Sequence, residues 1–108
     1  MDIDKVLKVL EKRKSLHDND PTIAVQWNAL TELLAENVDE TILLFESCTE
    51  EQILLFSEVF EDVAYKFQDV EFIKCLERVL EKYPNIPIGE SVKTARQYVV
   101  IDFINIKT

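Results

Sequence analysis

The chain has 108 residues, the size of one ordinary domain and too few for two. With 47% hydrophobic and 31% charged residues its composition is that of a globular protein, while one Gly and three Pro exclude a turn-rich β-sandwich or barrel and any Gly-rich phosphate loop. The net charge of -9 argues against nucleic-acid binding through phosphates and against anionic membranes, and makes a basic protein the natural complement.

Helical periodicity starts at once. Ile3, Val6, Leu7 and Leu10 fall at i, i+3, i+4 and i+7, predicting a first helix over about residues 2–15. The opening MDIDKVLKVLEKRK is charged throughout and lacks the apolar run of a secretory signal, so a cytoplasmic chain is expected. His17-Asp18-Asn19-Asp20 is a polar break. Asp20 suits an N-cap and Pro21 a first helical position. Ile23, Trp27, Leu30 and Leu34 then form the inner face of a second helix ending near Asn37, and Asp39 is positioned to cap a short third carrying Ile42 and Phe45.

Thr49-Glu50-Glu51-Gln52 is a capping box, with a hydroxyl at the cap and an amide three residues on. It opens the most regular stretch in the chain, Ile53, Phe56, Phe60, Val63 and Phe67, read as one continuous fourth helix. Asp69 re-caps a fifth through Phe72, Leu76, Val79 and Tyr83, which Pro84 stops. Residues 85–89 form a loop. A sixth segment continues on Val92, Ala95, Val99, Phe103 and Ile106 at helical spacing, although 98–106 is rich enough in β-branched and aromatic residues to read equally as a strand. The expectation is a single all-α domain over 1–108, a compact bundle or short solenoid of five to six antiparallel helices. Ile53, Phe56, Phe60, Val63, Phe67, Phe72, Leu76 and Trp27 would share its core.

No catalytic constellation is present. His17 is the only histidine, and with Cys48 and Cys75 it does not make the three or four closely spaced ligands of a zinc site. Gly89 stands outside any calcium-loop pattern. No stretch of 18 apolar residues spans a membrane. The sequence therefore reads as a non-enzyme with no metal or cofactor, its two cysteines buried as free thiols.

The charge map is more informative. No Lys or Arg occurs between Lys14 and Lys66, and residues 15–65 hold twelve acids, whereas residues 1–14 and 66–108 are net positive by two and one. Concentrated like charge costs stability through self-repulsion. Either a negative surface serves a function or the acids are a solvated face. At about 100° per residue, Ile53, Phe56, Phe60, Val63 and Phe67 lie between about 220° and 300° when Glu50 is set at zero. Glu50, Glu51, Glu58, Glu61 and Asp62 lie between about 0° and 120°, nearly opposite. Leu54 and Tyr65 fall among them, making a stripe Leu54-Glu58-Glu61-Tyr65 with the composition of an interface anchor in a charged surround. The candidate partner-binding residues are therefore Glu50, Glu51, Leu54, Glu58, Glu61, Asp62 and Tyr65, unless neighbouring helices cover that side.

The run SEVFEDVAYKFQ at 57–68, followed by EFIKCL at 71–76 and KYP at 82–84, resembles small helical immunity proteins of bacterial polymorphic toxin systems, including contact-dependent growth inhibition. The resemblance covers residues 50–84, mostly helix core and helix stop. It implies an α-helical cytosolic protein that binds and neutralises a cognate toxin domain, often a nuclease, and implies no particular binding residues. An acidic protein can occupy the basic substrate groove that a nuclease needs. The alternatives are a helical adaptor with no toxin partner and a small structural subunit. A monomer or a weak homodimer through the Leu54/Tyr65 face is expected.

Overall fold

The structure, a computed structural model, describes residues 1–100. Among these there is no strand; the chain forms α1 (Ile3–Ser15), α2 (Ile23–Leu34), α3 (Val38–Ser47), α4 (Glu50–Phe56), a 3-10 turn (Ser57–Val59), α5 (Phe60–Phe67), α6 (Val70–Lys82) and α7 (Gly89–Tyr98). Because α4, the turn and α5 follow one another without a loop, these make six rods, an all-α bundle of 46 × 27 × 26 Å.

Local chemistry explains most of the boundaries. The Asp2 carboxylate accepts from the Lys5 amide and starts α1, whose last turn carries Lys12, Arg13 and Lys14 against the negative end of the helix. The Thr49–Gln52 capping box forms in full, at 3.2 Å and 3.0 Å. Asp69 caps α6 by accepting from the Glu71 amide at 2.8 Å.

Two expected caps are corrected. The carboxylate of Asp20 accepts from both the amide and the hydroxyl of Thr22, closing a turn through Pro21 and delaying α2 to Ile23. That helix ends at Leu34, short of Asn37. Asn37, not Asp39, caps α3: its extended backbone lets the side-chain oxygen reach the Glu40 amide at 3.0 Å. The buried Thr41 hydroxyl then donates to the Leu34 carbonyl and seats α3 on the end of α2.

The expected continuous fourth helix is broken. Ser57 donates its hydroxyl to the Leu54 carbonyl at 2.6 Å, competing with the helical ladder, and residues 57–59 tighten into 3-10 geometry. α5 ends on Gln68, whose φ of 48° is left-handed.

One hydrophobic core draws on every helix. Phe45 stands at its centre, with ring centroids 5.0 Å from Phe56, 5.6 Å from Phe60 and 5.9 Å from Phe72. Ile53, Phe56, Phe60, Val63, Phe72 and Leu76 are fully buried as expected. Phe67 is half-buried, its ring edge-on to Phe72. Trp27 is a correction: it is 36% exposed, because α2 turns Ile23, Leu30 and Leu34 inward and leaves position 27 at the edge of that face. α7 begins at Gly89, stops at Tyr98, and Val99 is extended. The remainder of the helix-or-strand alternative, residues 101–106, lies outside the described residues.

Candidate partner-binding surface

The 3-10 turn divides the predicted stripe. Leu54 and Tyr65 are both exposed, Tyr65 by 64%, and so are Glu50, Glu51 and Asp62. Glu61 is half-buried. Leu54 lies before the break and Glu61, Asp62 and Tyr65 after it, so they do not follow one helical face. Glu58 and Glu61 together line a cleft of about 210 Å³ against Glu90, Ser91 and Thr94 of α7. Asp62 and Tyr65 line another, of about 280 Å³, against Asn28, Thr31 and Glu32 of α2.

Glu58 has a different role from the one its spacing suggests. Its two carboxylate oxygens accept from Arg13 Nε at 2.7 Å and Nη2 at 2.8 Å, the bidentate geometry that suits a guanidinium. The Arg13 side chain is only 8% exposed and the Glu58 side chain 27%. Arg13 also donates to Asp18 at 3.2 Å, and these carboxylates, Glu58 foremost, raise its already high pKa further. The Trp27 indole N–H donates to the same Glu58 carboxylate at 3.0 Å. Glu58 thus braces α1, α2 and the break in the α4–α5 rod, and it holds Trp27 at the surface with its one polar atom already satisfied.

The remaining acids fall into two groups. Glu51 pairs with Lys14 at 2.7 Å, and Glu32 with Lys66 at 3.3 Å. Glu50, Glu61 and Asp62 have no cation partner among the described residues. Tyr65 meets Tyr98 edge-on, with centroids 6.3 Å apart. Below them the Gln68 amide donates to the Tyr65 and Tyr98 carbonyls, and its oxygen accepts from the Val100 amide.

Arg13, Trp27 and Tyr98 are the residues that the sequence reading missed. Arg13 did carry a signal. It stands at i+7 from Val6 and i+3 from Leu10, on the buried stripe of α1, and a base at an apolar position requires an acid from elsewhere.

His17 is exposed, its ring Nδ1 accepting from the Asn19 amide. No group of His, Cys, Asp and Glu among the described residues could hold a metal ion. Cys48 and Cys75 are free and buried, and burial pushes each thiol up to about 11. Both therefore stay protonated in neutral solution. No helix of the described residues is long and apolar enough to cross a membrane. Such a fold and surface define an all-α protein with a partly unpaired acidic face that carries exposed aromatic side chains. No family model matches the chain, and neither does any curated protein or solved structure.

Proposed function

We propose that this chain is an inhibitor of the immunity-protein kind, which binds a cognate bacterial toxin domain in the cytoplasm and blocks a basic active-site surface of the sort a nuclease needs. It performs no chemistry itself; inhibition is steric and electrostatic. One observation carries the reading: twelve acids with neither Lys nor Arg over residues 15–65, of which Glu50, Glu61 and Asp62 have no cation partner among the described residues, beside the exposed Leu54 and Tyr65. Unpaired carboxylates around apolar anchors support fast, steered association with a basic surface followed by slow release. The Arg13–Glu58 brace adds preorganisation, since a partner would meet Trp27 already ordered.

The test is to isolate the C-terminal domain encoded by the gene adjacent to this one and to assay its activity with and without this chain. The expected result is a stable complex and loss of activity at equimolar addition. Full activity in the presence of excess chain would overturn the reading and leave the adaptor as the alternative.

A further inference from the structure

Trp27, the chain's one tryptophan, is 36% exposed, yet its indole N–H already donates to Glu58 at 3.0 Å. Arg13 holds that carboxylate bidentately, so the ring is fixed before a partner arrives. With the N–H satisfied, what the indole still offers is its face. Tryptophan has the face best suited to a cation, and donating its N–H to a carboxylate pushes further electron density into the ring.

Trp27 stands between two clefts. Glu58 lines one with Glu61 and Glu90, while Thr31, one turn along α2 from Trp27, lines the other with Asp62. Neither cleft is lined by an aliphatic side chain, so an apolar insertion finds no seat beside the indole. Glu61, Asp62 and Glu90 have no cation partner among the described residues. The cations of the packed elements are already engaged: Arg13 by Glu58 and Asp18, Lys14 by Glu51, and Lys66 by Glu32. Lys12 and Lys93 are exposed and line neither cleft. The larger cleft of about 440 Å³, flanked by Ile3 and Leu43, differs in both respects. Its lining is largely aliphatic, and its one carboxylate, Glu40, is paired with the Met1 ammonium at 2.7 Å.

We propose that the face of Trp27 receives an arginine of the partner protein, its guanidinium stacked on the indole and its charge turned towards Glu61. A guanidinium is planar and weakly hydrated, and while stacked it keeps its in-plane N–H donors free for a carboxylate. An ammonium is a compact, strongly hydrated charge and gains less from the same face. The inference rests on the inhibitor reading and deepens it, because it names the side chain by which a basic surface is held.

Because there is no second tryptophan, growth on mono-, di- and trifluorotryptophan alters this one ring. Each fluorine withdraws density from the face with little change of shape, and it makes the N–H a better donor, so the bond to Glu58 is not weakened. Affinity for the C-terminal domain encoded by the adjacent gene is measured for each full chain, with its melting temperature as the check on folding. A stepwise loss is expected, reaching about tenfold in the trifluoro chain at unchanged melting temperature. Should the trifluoro chain fold poorly, the slope is read from the mono- and difluoro chains. Glu61→Gln should weaken binding severalfold, and that loss should shrink at high salt. Affinity that stays flat across the series, or rises as it would for a purely apolar contact, overturns the arginine contact and leaves the inhibitor reading standing. Wild-type binding by Glu61→Gln overturns it as well. Absence of any complex with the unlabelled chain overturns both.

Discussion

Arg13 and Glu58 show how one pair of side chains can redirect a surface. Glu58 has the spacing of an interface acid and the environment of a structural one. Breaking the pair strands a charge: Arg13→Ala leaves Glu58 beside the indole with no cation, and should cost about 2–3 kcal/mol in a urea unfolding experiment. That is less than for a fully buried pair, because Glu58 keeps some contact with water. Replacing both residues by Met should recover part of the loss, since no unpaired charge then remains. The thiols give a second residue-scale prediction. Burial raises Cys48 and Cys75 from an ordinary 9.0 to about 11, so their neutral forms are favoured by folding. Their contribution is fully present below pH 9 and is lost as pH climbs towards 11. Native protein at pH 8 should therefore react slowly with a disulfide reagent and fully once unfolded. Alkaline titration should lower the melting temperature of the native chain more than that of the Cys48→Ala/Cys75→Ala variant. Rapid reaction of the native protein would show that the thiols are accessible.

At the scale of elements, the caps and the core carry separable energies. Thr49 closes the reciprocal box that starts α4, so Thr49→Ala should cost about 1 kcal/mol, read from the denaturation midpoint at unchanged slope. Phe45 sits among three other phenylalanine rings, Phe56, Phe60 and Phe72. Phe45→Ala, like Phe60→Ala, should cost about 3–5 kcal/mol, and a value near 1 would mean that the core relaxes. Capping residues and helical spacing made these elements readable, because both act within a few residues of chain. The break at Ser57–Val59 was not readable in the same way. An ideal helix through 50–67 turns the same five apolar residues inward, and only the bond from Ser57 and the pull of Arg13 on Glu58 distinguish the broken rod. Once the rod breaks, angles counted from Glu50 lose meaning beyond Phe56: Glu58 and Glu61 line one cleft, Tyr65 another and Leu54 neither.

For the whole molecule, the proposed inhibitor reading predicts different kinetics for the acidic field and for the apolar anchors. Neutralising Glu50 and Asp62, which have no cation partner among the described residues, should slow association, and the slowing should fade as salt rises from about 50 to 500 mM and the Debye length shrinks. Glu51→Gln is a different experiment, because it frees Lys14. Tyr65→Ala should act on dissociation and cost upwards of about 2 kcal/mol in affinity, measured by surface-bound kinetics. An association rate indifferent to salt would make the acidic surface a solvated face only, and wild-type dissociation of Tyr65→Ala would place the interface elsewhere.

From the order of residues alone, the helical class, most element boundaries, the aromatic core and the acidic middle of the chain could be worked out, since each depends on composition or on neighbours within two turns. Tertiary structure alone decided that Trp27 stands outside the core, that Glu58 serves Arg13, that Ile3 and Leu43 share a cleft, and which carboxylates have no cation partner among the described residues. Those outcomes depend on pairs separated by 31, 45 and similar numbers of residues, and a one-dimensional period carries no record of which helix faces which.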